Sequence, residues 1–485
     1  MIRARALTKA QAITAVDKRI WWMIMGIGFF GVIIMKEIAL PQPIILAMGG
    51  FGLLGLLMVG LQYPEIPLYV LVAYIPFSRL LVGNFGTQAT AFNMTNILMG
   101  WVFMAHALRQ MSRGQPLFQG TPLNRVILLF CLMGAASLMR ASWSYGSWYA
   151  GAYIIELKRW LTPMGFYFLT LWVVRDRKVL KTVAVVVMIA VAMVSVMAIR
   201  DYMYIGDDSF DEARVGGIVE HSNTLGAFFV YYMFLFLGFF LVYPKKKLKI
   251  WMLLIPFLMC FRGIMVTFSR GAYLACAFGG IAACFFRSKL LFLGVVMMGV
   301  FALANPWMLP SGIRFRLGQT VTNRAAFGEA DLTQTLEMSS ALRIHIWRGA
   351  AQIIKDHPWW GVGYGAFPRF IGQYTQGVIG YMDAHNSYLL IGAEMGVPTL
   401  AIFLLLLFMA MWYTYWLYRH ASDLSIKAIA LGFLAGLCGL LVANMFGSRM
   451  DSQEAAGYFW VLSGLIMRGV LIERQRIREE RTQRA

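Results

Sequence analysis

Long apolar runs separated by short polar loops occupy most of this 485-residue chain. Each run is about 20 residues long, the length of helix that crosses a hydrocarbon core of about 30 Å. The runs begin near Ile20, Ile44, Ile66, Met94, Asn124, Trp160, Val179, Thr224, Ile250, Gly271, Leu290, Ser387, Ala428 and Ala455. The pattern indicates about 14 spans. Because Pro76 and Arg79 interrupt the third run, the range is 12–14. We predict an all-α polytopic membrane protein.

The composition excludes a water-soluble fold. Apolar residues make up 59% of the chain and charged residues only 14%, whereas an ordinary soluble domain contains about 25% charged residues. The net charge is +20, and its Lys and Arg residues lie mostly between the apolar runs. This distribution favours membrane lipids as partners and argues against nucleic acid. The five cysteines lie inside apolar runs without a CxxC pair, as is typical of packing residues.

Basic loops alternate with the other loops and set the predicted orientation. They are residues 109–125, 175–181, 245–249, 287–289 and 419–427, and both chain ends are basic as well. Lysine and arginine concentrate on the cytoplasmic side of membrane proteins. We therefore predict that the N and C termini are cytoplasmic and that the remaining loops face the opposite side.

The predicted spans divide the chain into four parts. These are residues 1–305 with the first eleven spans, residues 306–385 as a mostly helical outer loop, residues 386–473 with the last three spans, and residues 474–485 as a basic cytoplasmic tail. The outer loop is small for an independent domain, so we predict a lid over the bundle. The Trp and Tyr residues of segment 140–160 predict an additional interfacial helix.

Several arginines lie in the predicted outer loops, although lysine and arginine normally concentrate in the cytoplasmic loops. Arg270 lies in a minimal turn between two apolar runs, where a charge needs a partner or a function. Arg214 precedes a span for which Ser222 or Asn223 is the expected helix cap, and the first amides of that span would point outward. Arginine grips phosphate or carboxylate oxygens with a planar fork of donors. For any single outer arginine, pairing with lipid headgroups is the common alternative.

Four of the six histidines also fall in these outer segments. His385 precedes a span and follows Asp383, a carboxylate close enough in sequence to orient the imidazole. A capping or hydrogen-bonded histidine at the membrane surface is the alternative for this motif alone. Motifs of nucleotide hydrolysis, zinc proteolysis and serine hydrolysis are absent from the sequence.

In their order along the chain, these patterns resemble the bacterial O-antigen ligase and polymerase superfamily of membrane glycan transferases. The resembling pieces are Arg214 with Gly217, His221-Ser222-Asn223-Thr224-Leu225-Gly226, Ser269-Arg270-Gly271, Arg343 with Trp347, Asp356-His357-Pro358-Trp359-Trp360-Gly361-Val362-Gly363, His385-Asn386-Ser387-Tyr388 and Glu394-Met395-Gly396. The resemblance implies a GT-C-like fold in the bacterial inner membrane, a glycan donor on undecaprenyl diphosphate and a periplasmic active site. No residue pattern points to a cofactor or a metal, so we predict neither; a metal-dependent transferase that uses paired outer carboxylates is the alternative.

The resemblance also implies roles for individual residues. It makes His385 the catalytic residue, which we assign as general base to the acceptor hydroxyl. The diphosphate would be held by Arg214 and Arg270, with Arg343 and Arg348 sharing that task. We also predict supporting roles for His221, Asn223, Asp383 and Asn386. At His221 the sequence departs from the family, which more often has Pro or another small residue before the Asn.

Three activities of the superfamily fit these expectations. The ligase transfers glycan to the lipid A core oligosaccharide, the polymerase joins repeat units, and a third branch glycosylates protein. The long outer loop before the last three spans and the Asp-Ala-His-Asn pattern favour the ligase. A transporter is the alternative of a different class, but it predicts charges spread through the bilayer depth, whereas the candidates here gather at one face.

Overall fold

The computed structural model describes residues 60, 62–80, 93–205, 214–246, 248–309, 313–314, 318, 337–447, 450 and 452–484. The regular secondary structure in these ranges is helical. The helices are α1 (Glu65–Tyr74), α2 (Met94–Ser112), α3 (Pro122–Tyr145), α4 (Trp148–Val173), α5 (Arg177–Tyr204), α6 (Ser222–Tyr232), α7 (Phe234–Val242), α8 (Leu248–Met252), α9 (Leu254–Val266), α10 (Arg270–Arg287), α11 (Lys289–Ala304), α12 (Met338–Asp356), α13 (Phe367–Tyr374), α14 (Ser387–His420), α15 (Leu424–Ala443) and α16 (Gln453–Thr482).

Seven stretches of the described chain are long and apolar enough to cross a membrane. They are α3, α5, Ser222–Val242 (α6 with α7), Leu248–Val266 (α8 with α9), α14, α15 and α16. The prediction of a polytopic helical membrane protein is therefore confirmed for the described ranges. The runs near Ile20 and Ile44 lie outside those ranges, and the count of about 14 spans and the GT-C-like architecture stay predictions.

Glycines let the central helices pack backbone against backbone. A Cβ atom added at Gly432 of α15 would lie 2.5 Å from the carbonyl oxygen of Phe234 in α7. One added at Gly464 of α16 would lie 2.6 Å from the carbonyl oxygen of Tyr167 in α4. Small residues at helix interfaces allow this approach, which drives helix association in lipid through close packing. Helices α15 and α16 therefore form the interior of the bundle.

The predicted cytoplasmic loops meet at one end of the bundle, which we call the basic end. Arg175, after α4, donates to Gln110 of α2 at 2.6 Å, and Arg468 of α16 donates to the carbonyl oxygen of Arg175 at 3.1 Å. Lys181 of α5 pairs with Asp423 before α15. The alternation of basic loops predicts such clustering. Which side of a membrane the basic end faces stays a prediction.

Segment 140–160 does not form a separate interfacial helix, so that prediction was wrong. Its first part ends α3 and its second part begins α4, with a tight turn between them at Gly146, where φ is +101°. A left-handed backbone of this kind suits glycine. The tyrosines of the segment face the lid residues instead, since the Tyr145 and Tyr149 hydroxyls donate to the carbonyl oxygens of Val362 and Tyr364 at 2.7 and 2.9 Å.

The lid, defined here as residues 337–385, has its own small core. Helices α12 and α13 bury Ile346, Ile353, Phe367 and Ile371 against one another. This core explains why the described part of the outer loop is helical, because each helix has an apolar stripe that the other covers.

The lid is fastened to a break in α14. Gly396 has φ +83°, and the amide of Val397 donates to the carbonyl oxygen of Pro358 at 2.7 Å. In return, the amides of Val362 and Gly363 donate to carbonyl oxygens of α14 at 2.8 and 2.9 Å. The lid loop thereby satisfies backbone groups that the helix break leaves open. This contact fixes the lid relative to the helix that follows His385.

Candidate active site

A cavity of about 360 Å³ opens at the end of the bundle opposite the basic end. Its described lining is Arg214, Asn223, Phe268, Ser269, Arg270, Gly271, Glu337, Met338, Ser339, Arg343 and Phe446. Three of these residues are arginines, and each comes from a different segment of the chain. The structure therefore brings together three of the four arginines that the sequence singles out for the diphosphate.

Arg214 is held in place by two neighbouring segments. Its Nε atom donates to the carbonyl oxygen of Thr267 at 3.2 Å, and its Nη2 atom donates to Oδ1 of Asn223 at 3.1 Å. The backbone amide of Val215 donates to the carbonyl oxygen of Val266 at 3.2 Å. Asn223 thus positions Arg214 and also lines the cavity; its supporting role stays a prediction.

The expected helix cap on α6 is not formed by Ser222 or Asn223, so that prediction was wrong. His221 occupies the N-cap position without a side-chain capping hydrogen bond. The reason is that Asn223 directs its carbonyl oxygen to Arg214 instead of to the helix amides. His221 itself is exposed and is not among the described lining residues.

Arg270 is the first residue of α10, in a turn that is buried and strained. Ser269 caps the helix by accepting from the amide of Ala272 at 3.4 Å. Phe268 has φ +48°, a left-handed conformation that typically costs a bulky residue about 1–2 kcal/mol. Gly271 packs so closely on Phe446 that an added Cβ would lie 2.9 Å from the Phe446 Cβ. The surrounding chain therefore holds Arg270 at the cavity.

Arg343 of helix α12 and Glu337, the residue just before that helix, reach the cavity from the lid. Burial lowers the pKa of Arg343, and nearby Arg270 lowers it further while Glu337 raises it. An arginine remains charged at neutral pH despite such a shift. The carboxylate of Glu337 pairs with the guanidinium of Arg270. Arg348, five residues beyond Arg343, is exposed and is not among the described lining residues.

His385 lies at the junction of the lid and α14 in a left-handed conformation, with φ +50°. Oδ2 of Asp383 accepts the backbone amide of His385 at 2.9 Å and lies 3.5 Å from its Nδ1 atom. The next residue, Asn386, is buried and caps α14 by accepting from the amides of Tyr388 and Leu389. The imidazole is 42% exposed, so a hydroxyl group can reach it.

His385 is not among the described residues that line the cavity, but it belongs to a segment packed against them. Trp347 donates to the carbonyl oxygen of Ala384 at 3.2 Å, and its ring centroid lies 6.1 Å from that of Phe446. Ser387 donates its Oγ proton to the carbonyl oxygen of Gly447 at 3.0 Å. The turn after α15 thus contacts both the histidine segment and the cavity.

Residues 255–404 match a family model described as O-antigen ligase. This match confirms the resemblance to the O-antigen ligase and polymerase superfamily. The region that matches the O-antigen ligase family contains Arg270, the lid and His385, while Arg214 and Phe446 lie outside it. No curated protein matches the chain.

The structure shows two residues around the candidate site that sequence reasoning missed. Glu337 lines the cavity, and Asn444 accepts the amide of Ser387 through its carbonyl oxygen at 2.9 Å. Asn444 is a buried amide at the end of apolar helix α15, and a polar residue in that position was the available signal. Glu337 carried no such signal. Within the described ranges, no group of three His, Cys, Asp or Glu residues is placed to hold a metal ion.

Proposed function

We propose that the protein is an O-antigen ligase, which transfers a glycan from undecaprenyl diphosphate to the lipid A core oligosaccharide. The observation that carries this proposal is the cavity lined by Arg214, Arg270 and Arg343. Three guanidinium groups from separate segments form a converging set of donors for an anion with several oxygens, and a diphosphate is such an anion.

The glycan donor is already activated by its diphosphate. The main task of the enzyme is therefore to stabilise this diphosphate as it leaves. The acceptor oxygen forms a bond to the anomeric carbon, while the bond from that carbon to the diphosphate oxygen breaks. Negative charge then grows on the diphosphate, which the three arginines would hold. A preorganised donor in such a position typically contributes about 10²- to 10³-fold in rate.

The acceptor hydroxyl must lose its proton during the transfer, and we assign that proton to His385. Asp383, 3.5 Å from Nδ1, would orient the ring and stabilise the imidazolium that forms. General base catalysis of this kind typically contributes about 10²- to 10⁴-fold. Direct displacement without a covalent intermediate would invert the anomeric configuration. The arginines would supply the positive charge, so the proposed reaction is independent of metal ions.

The proposed function also assigns the enzyme a membrane and an orientation. The enzyme would lie in the bacterial inner membrane with cytoplasmic termini and a periplasmic cavity, because the cavity lies opposite the basic end. O-antigen polymerase and protein O-oligosaccharyltransferase use the same donor chemistry and are the alternatives within the superfamily. The described candidate residues gather at one end of the bundle, which favours an enzyme over a transporter with charges at mid-depth.

Reconstitution tests the proposal. The purified protein would be placed in liposomes with lipid-linked O-antigen and with lipid A core, and the products would be separated by gel electrophoresis. Ligated lipopolysaccharide is the expected product. Longer lipid-linked polymer in the absence of ligation would support the polymerase instead. Failure of a folded protein to consume the donor would contradict both.

A further inference from the structure

Glu337 places a negative charge in a cavity that otherwise suits anions. Among the described lining residues it is the only carboxylate, beside three arginines. It pairs with Arg270 across the cavity, from the first position before α12 to the first residue of α10. Both side chains are mostly shielded, with exposed fractions of 20% for Glu337 and 23% for Arg270.

The side chain of Glu337 is not needed to start helix α12. It stands at the N-cap position, yet it makes no capping hydrogen bond. Its backbone carbonyl oxygen accepts the amides of Ser340 and Ala341 at 3.0 and 2.9 Å, and these bonds do not depend on the side chain. The carboxylate is therefore directed at Arg270 and not at its own helix.

A phosphate oxygen and the Glu337 carboxylate would use the same donors of Arg270. A guanidinium presents a limited number of N–H groups in a fixed plane. A phosphate that takes the Nη2 side of Arg270 must therefore displace Glu337. Displacement would also release a contact that holds the start of α12, and so would connect occupancy of the cavity to the lid.

We propose that Glu337 is an intramolecular competitor, which occupies Arg270 until a sufficiently tight phosphate ligand displaces it. The proposal rests on the proposed function, since it takes the ligand to be a lipid diphosphate. Its consequence is a higher affinity threshold for filling the cavity. Most membrane phospholipids carry one phosphate each and surround the protein in large excess, and an internal competitor weakens every anion by the same factor. Weak monophosphate ligands then leave the cavity open, while a tighter diphosphate still occupies it.

Competition by Glu337 changes the affinities of all anions by one common factor, and this property distinguishes it from simple repulsion. If Glu337 leaves Arg270 on binding, the cost of breaking the pair is equal for every ligand that displaces it. If the carboxylate stayed in the cavity, it would repel a diphosphate more strongly than a monophosphate. Removing the charge would then favour the diphosphate selectively.

The test compares Glu337→Gln with the wild-type protein in detergent. Binding of geranyl monophosphate and geranyl diphosphate would be measured by isothermal titration calorimetry. We expect both dissociation constants to fall by about three- to fivefold, as for loss of a partly exposed ion pair, with their ratio unchanged. Glu220→Gln is the matched control, because Glu220 pairs with Arg79 at 3.1 Å outside the cavity lining. It should leave both constants unchanged.

A second variant and a membrane measurement protect the test against misfolding of one protein. Glu337→Asp keeps the charge but shortens the reach to Arg270, so it should lower both dissociation constants partly. In nanodiscs that contain phosphatidylglycerol, the Gln variant should bind geranyl diphosphate more weakly than it does in phosphatidylcholine nanodiscs, whereas the wild type should show a smaller difference.

The outcomes separate this proposal from the proposed function. If the wild type binds geranyl diphosphate but both Glu337 variants keep its dissociation constants, the competitor proposal is overturned and the diphosphate site stands. A selective gain for the diphosphate also overturns it, in favour of repulsion. If the wild type binds neither prenyl phosphate, the diphosphate site fails and the competitor proposal fails with it.

Discussion

Helix α10 begins and ends with an arginine, and the two residues show how differently the two ends of the bundle use positive charge. Arg287 ends the helix at the basic end, where its Nε atom donates to the carbonyl oxygen of Leu241 at 2.9 Å. A cation there is favoured by the helix dipole. Arg270 begins the helix at the cavity, where the same dipole disfavours a cation. The chain thus accepts a cost at Arg270 that it avoids at Arg287.

The carboxylates at the two ends differ in the same way. At the basic end, Glu473 of α16 is fully buried between Arg177 and Arg476, with nitrogen to oxygen distances of 2.8 Å to each. Asp423 pairs with Lys181 and also caps α15. These acids join helices to one another. At the cavity, the described lining holds three arginines against the one carboxylate of Glu337, an excess of positive charge that suits an anion.

Backbone conformation separates the ends as well. The described residues other than glycine with positive φ are Glu220, Phe268, Gln376 and His385. Two of them belong to the proposed site. His385 is the proposed general base, and Phe268 lies two residues before Arg270. Strained residues persist where the surrounding structure holds them, and they concentrate at functional sites. A count of basic residues alone would therefore have pointed away from the proposed site.

The largest expected effect is on His385. His385→Ala should lower kcat for glycan transfer by about 10²- to 10⁴-fold, because the acceptor hydroxyl loses its base. Transfer would be measured with the reconstituted donor and acceptor, and folding by size-exclusion chromatography. His357→Ala is the matched control in the same lid, where the ring lies 3.5 Å from the Tyr374 hydroxyl. Equal activity in the two variants would remove His385 from the mechanism.

Arg270 and Arg287 offer a test on a single helix. Arg270→Ala should lower kcat by about 10²- to 10³-fold through lost stabilisation of the leaving diphosphate. Arg270→Lys should recover only part of that loss, since lysine keeps the charge but lacks the planar fork. Arg287→Ala at the opposite terminus should keep the turnover number. If both alanine variants lose activity equally, the charge of α10 matters for folding and the comparison between its ends fails.

Glu473 tests whether the basic end is structural. Glu473→Gln would leave Arg177 and Arg476, which are 35% and 30% exposed, without their shared carboxylate, and a hydrogen bond to a charged group typically contributes about 1.5–3 kcal/mol. We expect a clear drop in the thermal unfolding temperature in detergent, with turnover per folded molecule close to that of the wild type. An unchanged melting temperature together with lost activity would instead give the basic end a role in transfer.

Part of this site could be predicted from the sequence because helix boundaries and loop charge are local properties. The apolar runs that fall in the described ranges each coincide with a helix or helix pair. Arg348 shows where helical geometry would have helped further. Five residues after Arg343, it lies about 140° around α12 at 3.6 residues per turn, and the structure has it exposed.

The features that could not be predicted depend on contacts between distant segments. The break of α14 at Gly396 is stabilised by the loop that follows Pro358. The approach of Glu337 to Arg270 joins residues 67 positions apart. Neither contact leaves a pattern in the local sequence, because the partner that explains it lies in another element.

The smallest expected effect is on Asn223, which contacts the proposed diphosphate site through Arg214. Asn223→Ala removes the hydrogen bond of 3.1 Å to Nη2 but leaves the bond from Nε to the carbonyl oxygen of Thr267. Arg214 should therefore stay near the cavity with a less defined orientation. A hydrogen bond of this kind contributes about 0.5–1.5 kcal/mol, so kcat/KM should fall by about 3- to 10-fold. Asn223→Asp should keep the acceptor and most of the activity. A loss as large as that of Arg270→Ala would mean that Asn223 contacts the substrate directly, and no loss would mean that Arg214 is positioned without Asn223.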